Sequence, residues 1–115
     1  MSKSTQKRVF PILLDADSAE LTAAGTIKVD TSYTILNASG ADTAITLPDG
    51  TIPGQVMIIM NKHASGTPKV TITTPTLSIA KTASLDTQGS QVTCVWTGSG
   101  WSIISGEATT IVAAS

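Results

Sequence analysis

The sequence is poor in charge. Charged residues make up 13% of its 115 positions, against roughly 25% in an ordinary soluble domain. Aromatics are scarcer still, at 3%: Phe10, Tyr33, Trp96 and Trp101. There is one cysteine, Cys94, and one histidine, His63. A single cysteine excludes a disulfide framework within the chain and any multi-cysteine metal site. A single histidine leaves no His/Cys cluster at ligand spacing and only one imidazole for nucleophilic catalysis. No Gly-x-Ser-x-Gly elbow and no glycine-rich phosphate loop occurs. Asp15, Asp17 and Glu20 resemble the start of a calcium loop but lack its glycine and closing glutamate. Asp30, Asp42, Asp49 and Asp86 lie beside turn residues, where aspartate stabilises backbone geometry. The expectation is a protein with no catalytic residues, cofactor or metal. No apolar run approaches the ~20 residues of a membrane helix, and Val9–Leu14 is too short and proline-broken for a secretory signal. The net charge of −1 gives no general attraction to nucleic acid or acidic membranes, and neither is expected as a partner.

The chain instead has 41% hydrophobic residues together with 19 threonines and 13 serines. That apolar content argues against disorder, and its polarity is mostly hydroxyl, which suits strands and turns. Short alternating runs predict strands at Thr26–Val29, Tyr33–Asn37, Thr43–Leu47, Gln55–Asn61, Lys69–Thr74, Ala83–Leu85, Ser90–Trp96 and Trp101–Ser105. Gly, Pro, Asn, Asp or Ser bounds each. Turn signals near every ten residues predict an all-β fold, an antiparallel β-sandwich or barrel with short strands. Only residues 17–24 tolerate a short helix or turn.

Residues 1–14 read as an extended N-terminal arm, because Pro11 blocks helix and biases Phe10 toward extended backbone. Residues 15–106 form the β-sandwich domain, and 107–115 a C-terminal arm or edge strand. The run Val56-Met57-Ile58-Ile59-Met60 is apolar on both faces, as in a strand covered on both sides. In so small a domain the second cover is expected to be another subunit, with Met57, Ile59 and Ile111 as contacts. Trp96 and Trp101 face each other across the Thr97-Gly98-Ser99-Gly100 turn. Core packing is the leading reading for the pair; with His63 they could alternatively contact a sugar.

The order of motifs in residues 25–106 resembles small β-structured virion proteins of tailed bacteriophages. Carrying it are Tyr33-Thr34-Ile35-Leu36-Asn37, Ile45-Thr46-Leu47-Pro48, Ile52-Pro53-Gly54-Gln55-Val56, Val70-Thr71-Ile72-Thr73, Gln88-Gly89-Ser90 and Val95-Trp96-Thr97-Gly98-Ser99-Gly100-Trp101-Ser102. Similar patterns occur in capsid decoration (cement) proteins, head fibres and tail-fibre segments. The resemblance implies a non-enzymatic structural protein, made in the host cytoplasm and displayed on the outer capsid surface. Its partners would be the major capsid protein and itself, as a homotrimer. The chain length favours a decoration protein over a fibre shaft. Lys3, Lys7, Arg8, Val9 and Phe10 are then the expected capsid attachment. The alternative is a carbohydrate-binding, host-recognition module of a phage fibre or head, using Trp96, Trp101 and the 62–68 loop.

Overall fold

The computed structural model describes residues 20–75, 81–107 and 109–112. Ten strands occur in them: β1 (Glu20–Leu21), β2 (Gly25–Thr26), β3 (Tyr33–Leu36), β4 (Ala41–Leu47), β5 (Val56–Asn61), β6 (Thr67–Ile72), β7 (Thr82–Leu85), β8 (Gln91–Trp96), β9 (Trp101–Glu107) and β10 (Thr109–Val112). They form two five-stranded sheets, in the orders β1-β3-β5-β8-β9 and β10-β7-β6-β4-β2. Alternation explains the layering. In β3, β5, β6, β7 and β8 every second residue is buried, as a strand with one core-facing side requires. Leu36, Ile45, Leu47, Met57, Ile59, Val70, Ile72, Leu85 and Val92 interlock between the sheets. The all-β sandwich is as expected from the sequence.

The pairing differs from the antiparallel expectation. β1–β3, β3–β5, β2–β4 and β4–β6 are parallel. The other pairings, β5–β8, β6–β7, β7–β10 and β8–β9, are antiparallel. Parallel neighbours need a crossover. Here each crossover is a strand of the opposite sheet, so the chain from β1 to β6 coils around the core instead of folding back in hairpins. The window from Glu20 onward contains strand, bend and strand, with no helix. The predicted Thr26–Val29 strand shrinks to Gly25–Thr26.

The first turn of the coil is short, with Glu20 opposite Ile35 and Gly25 opposite Ile45, but from β3 to β6 the coil repeats. Tyr33 lies opposite Ile58 and Leu36 opposite Asn61 in one sheet; Ile45 lies opposite Val70 in the other. Each is a step of 25 residues, read from these pairs. The arches linking the layers share a tripeptide, Ala38-Ser39-Gly40 in the first and Ala64-Ser65-Gly66 in the second. They stack: the Lys62 N–H donates to Leu36 O at 2.8 Å, and that of Thr67 to Gly40 O at 3.2 Å. A β-carbon on Gly66 would collide with the Ala38 carbonyl, so glycine there permits the stacking. The second arch is one residue longer, and a bulge between Ala41 and Ala44 restores the register. Asp42 in that bulge has φ 50°, a left-handed conformation that aspartate tolerates better than most residues.

Candidate functional site

Three places on the sandwich could carry function: the tryptophan hairpin, the outer face of the β5 sheet, and a groove between two loops.

At the hairpin both indoles point inward. Trp101 is 1% exposed and Trp96 7%. Their rings meet edge to face, with centroids 5.5 Å apart at 61°, a favourable aromatic geometry. The Trp101 Nε1–H donates to Pro48 O at 2.7 Å, which satisfies its buried donor. Trp96 rests on Gly50, where a β-carbon would come within 2.5 Å of the indole Cγ. Thr97 Oγ1 accepts from the Gly100 N–H at 3.2 Å, and Gly98 adopts φ 103°. The pair closes one end of the core and offers no ring face for a sugar. His63 lies half-buried at the opposite end of the strands, in the second arch. Its Nδ1 faces the Ser65 N–H at 3.1 Å, a local turn contact. The structure therefore does not bring Trp96, Trp101 and His63 together.

Beside His63 is a residue that the sequence reading passes over. Asn61 is completely buried. Its Nδ2 lies 2.8 Å from Gly66 O, 3.1 Å from Thr87 O and 3.2 Å from Leu85 O. Its Oδ1 accepts from the His63 N–H at 3.1 Å. One amide thus ties the second arch to the end of β7 and to the turn that follows it. An amide at the end of an apolar strand (Met60 precedes it) is the signal that could have found it.

The outer face of the β5 sheet is apolar along β3 and β5, and is bordered by polar residues, with Glu20 opposite Ile35, Thr93 opposite Ile58 and Gln91 opposite Met60. Met57 and Ile59 are at 0% exposure in the core, so they are unavailable as subunit contacts, contrary to the expectation for them. Strand alternation puts Ile58 and Met60 on the other side instead. Tyr33 lies opposite Ile58, Ile35 opposite Met60 and Val95 opposite Val56, all half-exposed. The Tyr33 hydroxyl donates to Met60 Sδ at 3.6 Å. Ile104 nearby on β9 is 60% exposed. Ile111 is 41% exposed on β10, at the edge of the other sheet. Lys3, Lys7, Arg8, Val9 and Phe10 lie outside the described residues.

The groove, of about 470 Å³, runs between residues 29–32 and 51–56. Gln55 fixes its walls: its Oε1 accepts from the Thr51 N–H at 2.8 Å and its Nε2 donates to Val29 O. The Ile58 N–H donates to Ser32 O at 2.9 Å, holding the first wall to β5. Ile52 stands 66% exposed on the second wall. Among the described residues Asp30 is the one charged residue of the lining.

Chemistry in these places is limited. Among the described residues no group of three or more His, Cys, Asp or Glu side chains could hold a metal ion. Cys94, the one thiol, is buried, and burial pushes its pKa from 9.0 up to about 12. A thiol held protonated is a poor nucleophile. What the surface offers is apolar contact area.

No curated protein matches the sequence. Residues 15–102, most of the chain, match the family described as the phage depolymerase C-terminal beta sandwich domain. This agrees with the two-sheet architecture and with the likeness to β-structured phage virion proteins. The chain belongs to the phage depolymerase C-terminal beta sandwich domain family.

Proposed function

We propose that the protein is a structural virion component, not an enzyme, and that it works by associating with copies of itself. The carrying observation is the outer face of the β5 sheet. Tyr33, Ile35, Val56, Ile58, Met60 and Val95 form one half-exposed patch spanning three adjacent strands. The nearest charge is at its margin, where Glu20 lies opposite Ile35 and accepts from the Asn37 amide at 2.8 Å. Contiguous apolar surface of this kind on a soluble domain marks an interaction site. A second copy supplies the same apolar character, as interfaces between identical chains do. The family match supports the phage setting. A trimer is the proposed assembly, with Ile58 and Met60 replacing Met57 and Ile59 as its central contacts.

The proposed location is the outer surface of the capsid, where the trimer acts as a decoration protein. Lys3, Lys7, Arg8, Val9 and Phe10 attach it to the major capsid protein. Many copies bridging neighbouring capsomers would stabilise the assembled shell by mass action.

Light scattering after size exclusion tests the association. The expected mass is about three times the 11.8 kDa of the chain. Ile58→Asp should give a monomer whose circular dichroism is unchanged. A monomeric parent protein across micromolar to millimolar concentration would overturn the association. Rebinding to undecorated shells tests the location: removal of residues 1–10 should abolish binding, and undiminished binding would overturn the attachment.

A further inference from the structure

We propose that the groove between residues 29–32 and 51–56 binds a lysine side chain presented by a partner protein. The first observation is Ser32. It is 8% exposed and lines the groove. Its backbone is held, with Ser32 O accepting from the Ile58 N–H. Among the described residues its hydroxyl has no hydrogen-bond partner. A buried hydroxyl without a partner is costly, and alanine would fill the same place without that cost. The hydroxyl is explained if a ligand supplies the partner.

The second observation is the balance of donors and acceptors along the lining. The Thr31 hydroxyl donates its hydrogen to Lys28 O at 3.1 Å, which leaves only lone pairs. Gln55 engages its Oε1 with the Thr51 N–H and its Nε2 with Val29 O. The Asp30 carboxylate is exposed, with no hydrogen bond or ion pair among the described residues. An ionised carboxylate only accepts. What remains for a ligand is therefore mainly acceptor, with one negative charge. The rest of the surface is aliphatic, from Val29, Ile52, Pro53 and Val56.

A lysine side chain matches each feature. Its ammonium brings three donors, no acceptor and a positive charge. Its methylene stem lies along apolar surface while the charged head meets polar groups. The groove volume of about 470 Å³ falls within the usual range of ligand sites. A sugar matches less well. It brings acceptors as well as donors, and among the described residues no aromatic ring lines the groove to cover its apolar face. The walls are already fixed by Gln55, so little ordering cost falls on the groove. Val56 also borders the self-association face, but the inference rests on the groove's own groups and holds for a monomer as for a trimer.

The test is a titration of the full chain, followed by the amide resonances of the groove. The probe is the blocked tripeptide alanyl-lysyl-alanine. Saturable shifts are expected at Thr31, Ser32, Ile52 and Gln55, with His63 and Gln88 at the far end unmoved. The norleucine tripeptide, which keeps the stem and lacks the ammonium, should bind about fivefold more weakly or worse. Asp30→Asn should weaken lysine binding about threefold, as suits an exposed charge pair. Ser32→Ala should weaken it about tenfold, through loss of a buried hydrogen bond to a charged group. The same Ser32→Ala variant should keep or raise the urea midpoint of the free protein, because its hydroxyl has no partner there. A lowered midpoint would give that hydroxyl a structural role and overturn the inference. Equal binding of the two tripeptides, or no saturable shift at the groove, would overturn it too. Butylamine binding as tightly as the lysine tripeptide would assign the groove to a free amine, and methyl glucoside binding more tightly would assign it to a sugar; either result overturns the protein partner.

Discussion

Asn61 offers the sharpest test of how the sandwich holds together. Its position in the coil corresponds to Leu36, which lies directly opposite it in the neighbouring strand. Both residues are at 0% exposure, so leucine at position 61 is a change the architecture already accommodates one turn earlier. Asn61→Leu nevertheless removes the donor that Gly66 O, Leu85 O and Thr87 O share. It also removes the acceptor of the His63 N–H. A buried polar group left unpaired costs about 1–3 kcal/mol. Two hydrogens distributed among three carbonyls give a net loss of about 3 kcal/mol, after some carbonyls regain water. Asn61→Asp keeps the shape and the acceptor, but sets carboxylate oxygens against three carbonyls in a dry site. It should cost more than Asn61→Leu, because an unpaired buried charge is worse than an apolar replacement. Equilibrium urea unfolding is the assay. The midpoint should fall with an unchanged slope, the signature of lost stability in an intact two-state fold. A loss below about 1 kcal/mol for Asn61→Leu, relative to the 1–3 kcal/mol per unpaired group, would refute the reasoning. So would an aspartate variant more stable than the leucine variant at neutral pH.

Two further outcomes follow from the same packing. Trp101→Ala should destabilise by about 3–5 kcal/mol, because it empties a fully buried site and orphans Pro48 O; thermal unfolding checks this, and unchanged stability would mean the indole is not core. Cys94 has its pKa raised from 9.0 to about 12, so its contribution is fully present below pH 9 and is lost as pH rises toward 12. Parent stability should drop by about 1.4 kcal/mol per pH unit in that window relative to Cys94→Val, as read from urea midpoints at pH 8, 9, 10 and 11; parallel curves would refute the burial argument.

Much of the strand layout was legible in the sequence, because alternation and turn residues are local signals. The predicted strands Tyr33–Asn37 and Ser90–Trp96 are found as Tyr33–Leu36 and Gln91–Trp96, each one residue shorter, with the alternating burial that period-two patterning implies. Pairing partners were not legible. Alternation records which face of a strand meets the core, not which strand lies beside it. A short loop such as Asn37-Ala38-Ser39-Gly40 serves a hairpin or an arch between layers equally well. The distinguishing clue is the recurrence of Ala-Ser-Gly in both arches, with a fixed step between the strands around them. For the central strand the sequence showed two apolar faces but not their orientation. The core took Met57 and Ile59, leaving Ile58 and Met60 outside. The groove escaped notice because its walls are about twenty residues apart in sequence. Ile52, an aliphatic residue set among turn-formers, was its one local trace.

The stacked arches bear on how such a domain can change length over evolutionary time. Between β3 and β6, gain or loss of one whole turn of the coil, 25 residues by the strand register, leaves every remaining neighbour in phase. A shorter insertion shifts side chains between core and solvent unless something absorbs it. Asp42 and its bulge show one such absorption, where a single extra residue in one arch is matched by one in the adjacent strand. Relatives of this chain should accordingly differ between β3 and β6 by whole turns, or by small changes that come in compensating pairs.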